Sequence, residues 1–287
     1  MLNKKRVSKN RLLLLGTFIF LIVLSIPTFF WIKSANHDLA ERKKSQMSPV
    51  IMIPGSSATT ERFNELVNLL NKDTFKKHSL LKIQVKKDGT LKYSGKINRN
   101  DNEPFIVVGF ENNHDGYANI KKQAGWFDEA FAQLSQQYKF NNFKAFGHSN
   151  GGLIWTYWLE NYYDDYSDEI RIKKLMTLGT PYNLNRKKIP QNLDVYSVSG
   201  GQNYESDGLV PESSVAAGKY IFQNQVKHYT TMTVTGADAQ HSSLPQNKQV
   251  VQLIEQYLLE STIGDNTQGN GQRPRGSQKK QDQKLNN

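Results

Sequence analysis

An abrupt strand-to-helix turn constrains this chain most. Residues 143–146 form an apolar run with the character of a buried strand, Gly147-His148-Ser149-Asn150-Gly151-Gly152 follows at once, and residues 153–162 carry a helical pattern. Gly-x-Ser-x-Gly in that setting has the spacing of a nucleophile elbow. The serine takes strained dihedrals at the apex, and small residues two before and two after it let strand and helix come together. The pattern alone is common and acquires meaning only from the strand before it and the helix after it. Such a turn needs a sheet to project from.

The flanking sequence supplies one. Val50–Ile53 is an apolar run ending in Pro54-Gly55, and residues 60–70 place Phe63, Leu66, Val67 and Leu70 at helical spacing. Residues 82–85 and 90–97 flank Asp88-Gly89, a hairpin signal. Phe105–Phe110 reads as a buried strand, and Tyr117–Tyr138 as a helix with Ile120, Phe127, Phe131 and Leu134 on one face. Residues 175–178, 195–199 and 231–235 are further strands, and 250–259 is an amphipathic helix. This alternation predicts an α/β fold: a mostly parallel central sheet with helices on both faces and a β-hairpin insertion near 82–97. The aromatic stretch 155–166 either packs the helix after Ser149 or forms a lid or acyl-binding wall; residues 182–191, with Arg186-Lys187-Lys188, are a second candidate lid.

The ends differ from this body. The formal net charge is +11, but residues 1–48 hold nine Lys/Arg against two Asp/Glu and residues 262–287 hold five against two, so the body is close to neutral. That argues against a nucleic-acid partner. Lys4, Lys5, Arg6, Lys9 and Arg11 precede an uncharged run over 12–32, with Trp31 near its end. As a helix that run spans roughly 31 Å, about the thickness of a hydrocarbon core, and the leading cations belong on the cytoplasmic side. It is too long for a cleaved signal's apolar region and lacks a good small-x-small site. The expected division is therefore a cytoplasmic basic segment (1–11), a single-pass transmembrane signal anchor (12–32), a polar stalk (33–48), an extracellular folded domain (49–261) and a disordered basic tail (262–287). Secretion after signal cleavage is the lesser reading and exports the body equally. The tail suits weak contact with an anionic cell-wall polymer. With no cysteine in the chain, disulfides, thiolate catalysis and Cys-ligated metals are excluded.

A serine nucleophile needs a base, and the base an orienting acid; in this kind of fold they follow in the order Ser, acid, His. His228 and His241 are the histidines after Ser149. His228 reads as a surface residue beside Lys227. His241 lies in a loop six residues past the strand 231–235, where such a sheet places its site. Asp207, in Ser206-Asp207-Gly208-Leu209-Val210-Pro211, is the favoured acid. Its rival, Asp238, sits three residues before His241 on the same loop and cannot easily approach Nδ1 from behind; Glu205 and Glu212 are weaker candidates. Two backbone N–H groups should form an oxyanion hole, one from Asn150 and one from the loop Pro54-Gly55-Ser56-Ser57, with Ser56 preferred and Ser57 next.

Taken together, the Ser149 turn, Leu178-Gly179-Thr180-Pro181, the Asp207 segment and the His241 loop resemble the α/β-hydrolase superfamily. More closely, with the 85–90 hairpin and Val108-Gly109-Phe110-Glu111-Asn112-Asn113, the chain resembles the membrane-anchored cell-surface hydrolases of Gram-positive bacteria. The resemblance spans roughly 49–260 and implies a Ser149–Asp207–His241 triad that forms an acyl-enzyme. It needs no metal or organic cofactor. Many relatives carry His-Gly where this chain has Pro54-Gly55. The expected activity is hydrolysis of a small-molecule or lipid carboxylic ester, with the membrane as partner through the N-terminal helix. A surface acyltransferase shares the triad and is the first alternative; a catalytically silent hydrolase-fold binding module is the second.

Overall fold

A computed structural model describes residues 9–72, 77–182, 188–201 and 205–259. The basic tail, residues 183–187 of the 182–191 segment and the first cations therefore lie outside the described residues. Within them, an eight-stranded sheet has the order β3-β2-β4-β1-β5-β6-β7-β8. The strands are β1 (Val50–Ile53), β2 (Leu80–Val85), β3 (Leu91–Gly95), β4 (Phe105–Phe110), β5 (Asn142–His148), β6 (Arg171–Leu178), β7 (Asp194–Gly201) and β8 (His228–Thr235). All neighbours pair in parallel except β2 and β3, the hairpin at one edge, whose turn brings Val85 opposite Leu91. The hairpin extends the sheet, because β2 also pairs parallel to β4 from Leu80 to Val85.

Burial on both faces explains the unbroken apolar strands. In β1, Ile51 and Ile53 join the cluster under α3 (Tyr117–Tyr138) and α4 (Asn150–Asn161), while Val50 and Met52 point into the cluster under α2 (Asn64–Leu70) and α7 (Lys248–Leu253). The α3 face is the one its spacing predicted, with Ile120, Phe127, Phe131 and Leu134 all buried. The aromatic stretch takes the packing role of its two readings. Trp155 and Trp158 are fully buried, their rings lie 4.7 Å from Phe127 and Phe131 respectively, and Trp158 Nε1 donates to Asp128. Two short helices, α5 (Glu212–Ala216) and α6 (Lys219–Phe222), lie between β7 and β8. The closing helix lies where it was expected, and after Leu253 it widens to a π-helix over Ile254–Leu258.

The N-terminal helix α1 runs from Lys9 to Lys44, through the apolar run and most of the stalk. The stalk is not a free linker. Asp38 binds Lys139 Nζ at 2.9 Å and Gln136 at 3.0 Å, and the buried Arg42 donates to Phe140 O at 2.9 Å and pairs with Glu169 at 3.2 Å. These partners stand at the end of α3 and just before β5 and β6, so α1 docks at the amino ends of the strands.

Chain order places the functional loops at the opposite end. β1 sits between β4 and β5; the chain fills one side of β1, then crosses it to build the other. A sheet of this kind opens a crevice at the carboxyl ends of the strands where the winding reverses. The loops after β1 and β5, carrying Gly55 and Ser149, meet there.

Candidate active site

Ser149 occupies the turn between β5 and α4 with φ 55° and ψ −127°, left-handed backbone that a non-glycine residue adopts only when its surroundings enforce it. The enforcement is visible. Ser149 N donates to Leu178 O at 2.8 Å, and Thr180 Oγ1 donates to Ser149 O at 3.1 Å, tying both sides of the residue to β6 and the loop after it. At position 151 a Cβ would run into the Ile53 carbonyl, so the start of α4 can cross β1 only with glycine there. At position 55 a Cβ would sit 2.7 Å from Ser149 Cβ, which brings the loop after β1 directly against the serine.

Asp207 and His241 meet from separate strand ends. The His241 Nδ1–H donates to Asp207 Oδ2 at 2.6 Å, and His241 N donates to Asp207 O at 2.8 Å. The other carboxylate oxygen accepts Leu209 N at 3.0 Å and Val210 N at 2.7 Å. Asp207 is 1% exposed, and its carboxylate is held by two backbone N–H groups and the His241 Nδ1–H. Asp238 is exposed, in a short 3-10 turn (Ala237–Ala239), and no hydrogen bond of its side chain is among those described. Glu212 accepts from Thr233 at 2.6 Å, and the Glu205 backbone carbonyl pairs with Glu212 N. His228 begins β8 at the far end of the sheet, paired with Asp194 at 2.6 Å.

The two preferred oxyanion donors are also distinguishable from their neighbour. Ser57 N already donates to Asn113 O at 2.9 Å, while the N–H groups of Ser56 and Asn150 have no acceptor among the described residues. Asn150 is further held by its side chain, which donates to Asp115 at 2.7 Å. Ser149, His241, Gly55, Ser56 and Leu209 line a cavity of about 560 Å³. A cleft of about 800 Å³ beside α3, lined by Lys87, Trp126, Asp128 and Tyr162 among others, contains none of these residues. The metal-like grouping among described residues is His37, Asp38 and Glu41 on α1, whose Asp38 is engaged by Lys139.

Sequence reasoning passed over two residues here. His148, buried at 3% exposure, donates Nε2–H to His241 O at 3.0 Å, and its ring lies 4.7 Å from that of His241. Arg62 Nη2 donates to Ser242 O at 2.6 Å and lines the same cavity. His148 sits inside the motif itself, which was a signal of proximity; Arg62 carried none, being one cation on an amphipathic segment. Burial, then the neighbouring His241 and Arg62, holds the His148 imidazole well below the usual histidine range, so it stays neutral. Its unfolded form titrates near pH 6.5 and takes up a proton below that, when the folded form does not. The stability this residue confers is thus complete above about pH 6.5 and is lost as the pH falls, by up to about 1.4 kcal/mol per unit. Denaturant unfolding at pH 7, 6 and 5 should therefore show a steeper loss for the wild type than for His148→Asn.

Sequence and structure comparisons converge on one group. The profile of a family described as "Alpha/beta hydrolase of unknown function (DUF915)" matches residues 37–187 and 183–261. A candidate cell-surface hydrolase from Lactobacillus plantarum WCFS1, known from its crystal structure, is 55% identical over 77% of this chain and 95% of its own, with a TM-score of 0.68. A Listeria innocua gene product of known structure is 24% identical over 76% of this chain and 96% of its own, with a TM-score of 0.67, which supports the fold alone. A comparison with curated proteins found no match.

Proposed function

Because the chain belongs to the DUF915 family of α/β hydrolases, we propose that it is a serine hydrolase of carboxylic esters, anchored by α1 with its body outside the cell. The observation that carries this reading is the 2.6 Å contact between His241 Nδ1 and Asp207 Oδ2 on the wall of the cavity that Ser149 enters from a strained turn. In the proposed reaction His241 Nε2 removes the Ser149 hydroxyl proton as Oγ attacks the ester carbonyl. The N–H groups of Ser56 and Asn150 receive the developing oxyanion. Asp207 keeps the imidazole in the tautomer whose Nε2 is free and stabilises its charged form. The tetrahedral intermediate collapses, His241 returns the proton to the departing alcohol, and water then releases the acyl group from Ser149 by the same steps.

The fold also bears on where the substrate lies. α1 docks at the amino ends of β5 and β6, while Ser149 follows the carboxyl end of the seven-residue β5. At about 3.3 Å per residue the two are separated by roughly 20 Å. A body held this way turns its cavity away from the anchoring bilayer, which favours esters of the extracellular envelope over lipids of the membrane itself. The full chain, purified in detergent, should react with a fluorophosphonate probe at Ser149 and hydrolyse p-nitrophenyl esters. Labelling without turnover would redirect the proposal to acyl transfer. A folded protein that is not labelled would remove the serine-hydrolase reading.

A further inference from the structure

The cavity that holds Ser149 and His241 also holds a cation that the proposed reaction does not use. Arg62 is half-buried on its wall. One guanidinium nitrogen donates to Ser242 O at 2.6 Å, and the remaining donors have no acceptor among the described residues. No carboxylate lies within ion-pairing distance of it among those residues either. The acids nearby are committed elsewhere. Glu61, on the same wall, is held by Lys82 Nζ at 2.7 Å, and Asp207 by His241 at 2.6 Å. The contrast with the buried Arg42 is direct, since that guanidinium has Glu169 at 3.2 Å.

Removing a guanidinium from water without a counter-ion is unfavourable. Burial alone pulls the Arg62 pKa down, and no acid pulls it back up. Such a group attracts an anion more strongly than an exposed arginine does, because the surrounding dielectric is lower. Its planar fork of N–H donors suits a carboxylate or phosphate held by two parallel hydrogen bonds. His148 next to His241 is neutral, so no second cation on that side competes with Arg62 for an anion. Its bond to Ser242 O, one residue beyond His241, ties the guanidinium to the His241 loop on the wall of the cavity that Ser149 also lines. Leu209, 70% exposed on the cavity rim, adds an apolar contact.

We propose that Arg62 forms an anion subsite of this cavity, so that the ester presented to Ser149 carries a carboxylate or phosphate group within reach of the Arg62 guanidinium. The proposal rests on the serine-hydrolase reading and names its substrate class: anionic esters, with the charge on either the acyl or the alcohol side.

Two substrate pairs separate the sides, assayed with the full chain in detergent. On the acyl side, p-nitrophenyl hemisuccinate is compared with p-nitrophenyl pentanoate. On the alcohol side, 1-butyryl-glycerol 3-phosphate is compared with monobutyrin. The wild type should prefer the charged member of at least one pair in kcat/KM by about 10- to 100-fold, the range of a charge-assisted hydrogen bond. Arg62→Gln should bring that ratio close to one, and Arg62→Lys should restore part of it. Equal kcat/KM within both pairs for the wild type overturns the proposal. So does an Arg62→Gln variant that loses both members of a pair by the same factor, since that is the behaviour of a prop for the Ser242 loop. A binding measurement keeps the subsite separable from the chemistry. Titration of Ser149→Ala protein with inorganic phosphate should give a calorimetric signal that Arg62→Gln removes, and absence of that signal also overturns the proposal. Loss of fluorophosphonate labelling at Ser149 would instead strike the hydrolase reading, with the phosphate titration still reporting on Arg62.

Discussion

Ser149→Ala is expected to lower ester hydrolysis by about 10⁴- to 10⁶-fold and to abolish fluorophosphonate labelling, while thermal unfolding stays within a degree or so of the wild type. The size follows from the proposed division of labour. Without Oγ there is no acyl-enzyme, and only the backbone donors and the cavity remain to assist direct attack by water. The small stability effect follows from the fold. Ser149 is held through its backbone, by Leu178 O and Thr180 Oγ1, and its own hydroxyl makes no hydrogen bond among the described residues. Alanine inherits the same left-handed backbone at φ 55°, so the strain is neither relieved nor increased. Turnover retained at a tenth of the wild-type rate or more would remove Ser149 from the mechanism.

Asp207→Asn is expected to cost about 10³- to 10⁴-fold in kcat/KM with little change in fold. The asparagine oxygen can still accept from Leu209 N and Val210 N, which preserves the turn. Its amide nitrogen then faces His241 Nδ1 and donates to it, which reverses the tautomer and puts a proton on the Nε2 that should accept one from Ser149. Asp238→Asn changes an exposed side chain with no described hydrogen bond and should alter kcat/KM by less than about twofold. Side-by-side kinetics of the two variants decide between the acids, and the opposite ranking would reassign the role to Asp238.

These expectations differ in how far the sequence alone supports them. The elbow was legible because its requirements are local: a strand, a residue with strained dihedrals and glycines flanking it must be contiguous. The α3 face was legible for the same reason, since a period of 3.6 residues writes burial directly into the order of Ile120, Phe127, Phe131 and Leu134. The bounds of the short helices α5 and α6 were not, because five and four residues give no period to read. Their stability comes from packing, with Val215, Ile221 and Phe222 buried against the sheet.

Long-range geometry decided the rest. Asp207 and Asp238 are equivalent as residue types, and chain distance to His241 even favours Asp238. Only the parallel pairing of β7 with β8 carries the Asp207 loop beneath the imidazole, while the 3-10 turn points Asp238 to solvent. Ser56 and Ser57 are likewise identical in type, and they part only because Asn113, beyond β4, occupies the N–H of Ser57. The stalk reads as a polar linker until the partners of Asp38 and Arg42 arrive from α3, from the residues before β5 and from the residues before β6. Arg62 reads as one more surface cation until the fold sets it in the Ser149 cavity and gives the nearby acids to other partners. By itself, then, the sequence determined the strands, the strained serine turn, the order of the chemical groups and the apolar N-terminal run, because each depends on neighbours along the chain. The sequence already favoured Asp207 and Ser56, but their actual contacts, the place where α1 docks and the cation left without a carboxylate among the described residues depend on tertiary structure, because each involves groups tens to hundreds of residues away competing for the same hydrogen-bonding atoms.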